Sequence, residues 1–295
     1  MLETLHKNTL TFPSKMMHDT QLKTLRIGVL MEPWAKLFGV YTQSLLKDSS
    51  IDSRIILYRD NQELANALLS AEINICPKGL KDLPTTLPEG TTIAALTARE
   101  DARQCLVLPR FVAEKADLAT LRGLTIGVCN AVSQAQLVAL YPEVRAEIHD
   151  MLPLEGIEAM RNGRFDGSIM TTVTAKVLAM REDEWLIRPI NVREFVPEAG
   201  QGVACLVAAT DDLATRRLLK TVHNQAVAMV TNVERTLKKM FNDRDIAAYC
   251  ERDKMGNYHF SASAIVNGTL RKVRLSRSTT VGLAESAKAA LLNGN

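Results

Sequence analysis

From Thr24 to Ala209 short apolar runs alternate with amphipathic segments, and this alternation admits little besides a layered α/β fold. The first series reads "TLRIGVL" as a strand, "WAKLFGVYTQSLLKD" as a helix, "SRIILY" as a strand, "NQELANALLSAE" as a helix and "INIC" as a strand. The second follows "EKADLATLRG", with "LTIGVC" and "FDGSIMTT" as strands and "AVSQAQLVALY", "LEGIEAMRNG" and "TAKVLAM" as helices. Between the series, "TIAAL" and "CLVLP" read as strands suited to crossing from one lobe to the other. After "VPEAGQG" come a strand, "VACLVAA", and a long helical stretch from Asp211 to about Met240. The character then changes. "DIAAYCE", "NYHFSASAIVNGTL" and "RKVRLSRS" predict antiparallel strands, and "VGLAESAKAALLNG" predicts a closing helix. The expected architecture is two α/β lobes and a small α+β C-terminal domain. Residues 23–115 with 201–228 form the first lobe, 116–200 the second and 229–295 the C-terminal domain, behind an N-terminal extension over 1–22.

Composition narrows the function classes. With 295 residues, 46% of them hydrophobic and 23% charged, the chain can bury a large core. A net charge of +3 is too small to argue for nucleic acid. No apolar run approaches the roughly 20 residues of a membrane span, and the N-terminal segment has no apolar signal-peptide region. A cytoplasmic monomer acting on a small-molecule substrate is expected. The five cysteines, Cys76, Cys105, Cys129, Cys205 and Cys250, form no C-x-x-C pair, and the five histidines have no metal-ligand spacing. No metal site is expected, and Cys105, Cys129 and Cys205, in apolar runs, read as small core residues.

The stretch "CPKGLKDLP" sets Lys81 and Asp82 side by side in a loop bounded by prolines. Aspartate before an apolar residue and proline suits a turn, with the lysine as its solvated partner. The same carboxylate at the mouth of a cleft suits chemistry on a developing cation. "GQG", Gly200–Gly202, reads as a backbone crossing, since a lone G-x-G is a weak nucleotide signal. Trp34 reads either as a core anchor or as part of an aromatic wall, Lys36 as a solvated helix lysine, and "RKVRLSR" as a half-exposed edge strand.

These segments, in this order, resemble the porphobilinogen deaminases, or hydroxymethylbilane synthases, which polymerise porphobilinogen into a linear tetrapyrrole. "LRIGVL" with Pro33 is similar to the family's first strand and turn, and "GLKDLPTTLPEGTTIAALTAREDAR" to its S-M-K-D-V-P and R-E-D-P-R segments. "NGRFDG" is similar to N-G-E-Y-D-A, "VPEAGQGV" to L-P-A-V-G-Q-G-A, and "NVERTL" with "YCERDKMGNYHFSASAIV" to the start of the third domain. The resemblance implies that Asp82 is the catalytic carboxylate, with Lys81 beside it and Gln201 among the binding residues. It also marks departures. The family's cysteine that carries a covalent dipyrromethane falls on Asn242, so no cofactor is expected. The arginines that bind carboxylates fall on Leu30, Val132, Ser133, Asp150 and Gly156. Each charge-assisted hydrogen bond lost is worth roughly 1.5–3 kcal/mol, so a polycarboxylate would bind poorly.

Two readings follow. One is a diverged enzyme that runs carboxylate-assisted deamination and bond formation on a pyrrole-like or other small substrate. The other is a non-catalytic binder, since the two-lobed plan also resembles periplasmic solute-binding proteins. An atypical true hydroxymethylbilane synthase, with its cofactor on Cys76 or Cys250, is a third.

Overall fold

The computed structural model describes residues 24–244 and 246–293. The N-terminal extension expected over 1–22 lies outside the described residues. The fold is α/β. β1 (Leu25–Leu30) and β2 (Ser53–Tyr58) pair in parallel, on either side of α1 (Pro33–Asp48) in sequence. α2 (Asn61–Leu69) then leads to β3 (Cys76–Gly79). A parallel bridge between Ile27 and Ile75 joins this pair to a second group, in which β10 (Ala204–Ala209) lies antiparallel between β3 and β4 (Thr91–Leu96). The first sheet therefore runs β2-β1-β3-β10-β4.

The second sheet repeats the plan. Its order is β7-β6-β8-β5-β9, from β5 (Gln104–Pro109), β6 (Thr125–Val128), β7 (Arg145–Ile148), β8 (Gly167–Thr171) and β9 (Trp185–Pro189). β6 is parallel to β7 and β8, whereas β5 is antiparallel to β8 and β9. In each sheet the antiparallel strand enters from the other: the chain crosses through 97–103 to β5 and returns through 190–203 to β10. Both strands are buried along their whole length. That is why "CLVLP" and "ACLVAA" are continuous apolar runs rather than alternating ones. β7 escapes sequence reading because it is an exposed edge strand, "RAEI", with no apolar face.

The single helix expected from Asp211 to about Met240 is instead broken. α7 (Leu213–Leu218) ends in a 3-10 turn, and α8 (Gln225–Met240) starts anew. The break serves β4: the Leu96 N–H donates to His223 Nδ1 (3.2 Å) and the Asn224 N–H donates to Leu96 O (2.8 Å). The Asn224 side chain then caps α8 by accepting from Val227 N–H (3.0 Å). The C-terminal part is the antiparallel sheet β11 (Ile246–Arg252), β12 (Tyr258–Val266) and β13 (Thr269–Arg277), closed by α9 (Leu283–Asn293). Its β12–β13 hairpin turns at Asn267–Gly268, both at positive φ (52° and 75°), as a two-residue primed turn requires.

Glu234, on α8, is fully buried and accepts hydrogen bonds from four directions. Arg99 contributes both guanidinium nitrogens (2.8 and 2.7 Å), Gly200 its N–H (2.7 Å) and Cys250 its N–H (2.8 Å). One carboxylate thus ties both crossing segments to α8 and β11. Gln201, also fully buried, adds a second tie, donating to Ala102 O (2.7 Å) and accepting from Gln104 Nε2 (3.0 Å).

Candidate functional site

β3 ends at Gly79, and one 3-10 turn (Leu80–Asp82) sends the chain toward the second sheet. Leu80 is the buried anchor, its N–H donating to Val203 O (2.9 Å). The rest of the turn is held from behind by α8. Arg235 donates to the carbonyls of Leu80 (3.1 Å), Leu83 (3.1 Å) and Pro84 (2.6 Å), and Lys238 donates to that of Lys81 (2.9 Å). Thr85 N–H donates to Asp243 Oδ2 (3.1 Å). A loop with prolines at both ends has many carbonyls and few donors, so cations suit it. At Gly79 a Cβ would lie 2.4 Å from Asp82 Oδ2, so a side chain there would push the carboxylate aside.

Asp82 is thereby presented outward, its side chain 57% exposed, with Lys81 Nζ 2.6 Å from Oδ1. Lys81 also lies 3.7 Å from Glu198 Oε1, on the returning segment. Burial works against the Lys81 charge, but Glu198 and Asp82 outweigh it and hold the ammonium above its ordinary range. Three hollows meet at Lys81. One is a narrow crevice of about 60 Å³ between α1 and the crossings, walled by Trp34, Phe38, Tyr41 and Glu100. The second, of about 310 Å³, runs along the second sheet past His149, Gly156 and Ser168, with Trp34 again in its wall. Asp82 lines both. The third, of about 350 Å³, lies on the far side of Lys81, toward Val132, Lys238 and Asp243.

The remaining sequence candidates are dispersed. Gly156 lines the second hollow, with open space where a side chain would begin. Val132 lines the third but is mostly buried against Val196 and Ala247 of the C-terminal contact. Leu30 packs on the core of the first sheet, Ser133 is buried behind Asn130 with its N–H donated to Asn130 Oδ1 (2.8 Å), and Asp150 is exposed. None of these three lines the hollows that Asp82 faces. Gln201 reaches the crevice, but its amide is engaged between the crossings. Trp34 is half-buried as a wall of the cleft rather than enclosed in a core.

Cys129 corrects the sequence reading. It is exposed, just past the end of β6, rather than a small core residue. Its thiol lies 3.6 Å from Glu198 Oε1; partial desolvation of the sulfur where it faces the cleft walls, together with Glu198, pushes its pKa up to about 11, against the opposing effect of Lys81. Glu198 was missed as well. Its signal was a carboxylate in the otherwise apolar and glycine-rich "VPEAGQG". Among the described residues there is no cluster of three or more potential metal ligands and no helix long and apolar enough to cross a membrane.

Comparison with known proteins sets this geometry in a lineage. Residues 61–217, just over half of the chain, match the family model described as "Porphobilinogen deaminase, dipyromethane cofactor binding domain". The chain belongs to the porphobilinogen deaminase family. Among its relatives, the porphobilinogen deaminase of Streptococcus sanguinis (strain SK36) is 29% identical over 66% of this chain and 64% of its own length. That of Chloroherpeton thalassium is 31% identical over 68% of this chain and 63% of its own. The chain therefore spans less than two thirds of these relatives. Among solved structures it aligns with the VFT2 domain of Bordetella pertussis BvgS (TM-score 0.44, 16% identity, 68% of this chain and 87% of that one). It also aligns with the methionine binding protein MetQ (TM-score 0.41, 13% identity, 75% and 96%). These likenesses are too distant to bear on the site.

The residue at the position where the resemblance places the attachment cysteine does not fit a covalently held dipyrromethane. Cys76, Cys105, Cys205 and Cys250 are buried, and the exposed Cys129 follows β6 in the second sheet, away from the attachment position that the resemblance gives. Cys250 lies within β11, its N–H on Glu234, and burial pushes its thiol up to about 12. Asn242, at φ 54°, offers an amide in place of a thiol.

Proposed function

We propose that this porphobilinogen deaminase-family protein is an enzyme in which Asp82 assists loss of an amine from a small pyrrole-like substrate, without a tethered primer. The observation that carries the reading is the mounting of Asp82. Arg235 and Lys238 donate four hydrogen bonds to the backbone of its loop and Asp243 accepts a fifth from Thr85 N–H, while the carboxylate of Asp82 itself faces the cleft. A charge aimed in advance at a developing cation is the arrangement that electrostatic catalysis needs.

The chemistry balances simply. The C–N bond of a protonated aminomethylpyrrole breaks, neutral ammonia departs with the bonding pair, and the ring nitrogen supplies electrons to leave an azafulvenium cation beside Asp82. A carbon or nitrogen nucleophile then adds to the exocyclic carbon. Where carbon–carbon bonding leaves a ring proton, Asp82 is placed to accept it. Binding without turnover is the competing reading, and the 57% exposure of Asp82 favours it, because water weakens the carboxylate's effect on a cation.

The test is ammonia release from 2-(aminomethyl)pyrrole and from porphobilinogen, with the unaltered protein and with Asp82→Asn. The substitution keeps the shape and removes the charge, so kcat should fall by about 10²–10³. Absence of ammonia release, or release that the substitution leaves intact, refutes the proposal.

A further inference from the structure

The charges and rings around Asp82 also specify what kind of molecule can sit there, an inference that rests on the deamination reading above. Trp34, Phe38 and Tyr41 form a stripe on α1, with successive ring centroids 6.3 and 6.2 Å apart and planes within 30°. The stripe walls the crevice, and Trp34 also faces the larger hollow. Thr171 and Thr174 line both hollows across from it, and Lys176 Nζ lies 5.7 Å from the Tyr41 ring centroid.

The ionised groups facing these two hollows are few. Lys81 stands between Asp82 and Glu198, and Lys176 holds Glu100 (2.9 Å). Among the described residues, one ammonium group and three carboxylates line the two hollows, with Lys176 bonded to Glu100 outside the lining, so negative charge is in excess. His149, in the same wall, adds no positive charge near neutral pH, because burial and Arg164 hold its pKa below the ordinary value. Among the described residues no arginine lines either hollow. Arg235 and Lys238 bond to the carbonyls of the loop from behind, where Lys238 also faces Glu198 and Asp243 across the third hollow.

We infer that the site takes a flat aromatic or heteroaromatic ring bearing one aminomethyl cation and no carboxylate. The ring lies against the Trp34 face, and the ammonium group supplies the missing positive charge beside Asp82. A carboxylate on the ring would meet Asp82, Glu198 and Glu100, with no guanidinium among the described lining residues to receive it.

The chain has two tryptophans, and Trp185 is buried in the second sheet, so Trp185→Phe leaves Trp34 as the sole fluorophore at the site. That protein would be titrated with benzylamine and 2-(aminomethyl)pyrrole, with phenylacetate and pyrrole-2-carboxylate as acids of similar size, and with porphobilinogen, which carries both charge types. The thermal shift of the unaltered protein with the same compounds guards against a folding defect of the variant. The amines should perturb Trp34 with Kd at least about tenfold below those of the acids and of porphobilinogen, and Asp82→Asn should abolish that preference. The inference is overturned if the acids bind as tightly as the amines, if Asp82→Asn leaves amine binding unchanged, or if no compound acts up to about 10 mM. Ammonia release from porphobilinogen without an amine preference sinks this inference and leaves the deamination reading standing. Amine binding without ammonia release does the reverse.

Discussion

Glu234→Ala is the most severe single test of how the cleft is held together. The substitution removes the counterion of Arg99, whose side chain is only 12% exposed, and strips the acceptors from Gly200 N–H and Cys250 N–H. Breaking a buried pair from one side typically costs on the order of 3–5 kcal/mol, because the remaining charge stays desolvated. Each orphaned N–H adds about 1–3 kcal/mol where water does not reach it. A loss of at least about 3 kcal/mol is expected, a large share of the roughly 5–15 kcal/mol that holds a typical domain. Urea unfolding followed in parallel by far-UV circular dichroism and tryptophan fluorescence measures it, coincident transitions licensing a single free energy. Removing both charges, as Arg99→Met with Glu234→Leu, should cost less than the single change, because no buried cation is left unpaired. If Glu234→Ala lies within about 1 kcal/mol of the unaltered protein, or if the double replacement is as costly as the two single ones added, the node does not hold the crossings as described.

Two further outcomes follow from the site. Cys129 should be the cysteine alkylated fastest in the folded protein by iodoacetamide, with a rate that climbs toward pH 11, as its raised pKa requires. Lys81 lowers that pKa and Glu198 raises it, so Lys81→Met should slow alkylation at a fixed pH and Glu198→Gln should speed it; the opposite order refutes the charge arrangement. Gly79→Ala should displace the Asp82 carboxylate, which a Cβ would approach to 2.4 Å, and lower turnover more than it lowers thermal stability. Equal turnover in the two proteins would show that the position of Asp82 does not matter.

Much of this was legible in the sequence, for identifiable reasons. The buried central strands announced themselves because both faces are covered, giving unbroken apolar runs such as "ACLVAA". The loop of Lys81 and Asp82 was visible because proline and charge interrupt an apolar pattern. Other features depend on contacts distant in sequence. The break between α7 and α8 answers the edge of β4, more than a hundred residues earlier, and no local pattern signals it. Cys129 looked like core because it continues the apolar run of β6, yet it lies one residue past the strand, where the chain turns into α4 (Ala131–Leu140) at the cleft. The pairing of Lys81 with Glu198 spans two segments brought together only by the second crossing.

The exchange of β5 and β10 between the sheets also sets the order in which this chain can be made. β3 and β4 do not pair with each other; β10 fills the place between them, and it begins only at Ala204. Until that residue has left the ribosome, the first sheet is an open frame with two unsatisfied strand edges around an exposed apolar slot. The second sheet has no such delay, since all five of its strands lie between Gln104 and Pro189. It can close while the first half of the chain, although synthesised earlier, still waits. A nascent chain stalled before Ala204 presents the slot to any passing strand, including one from a neighbouring copy, and is the species of this protein most exposed to misassembly.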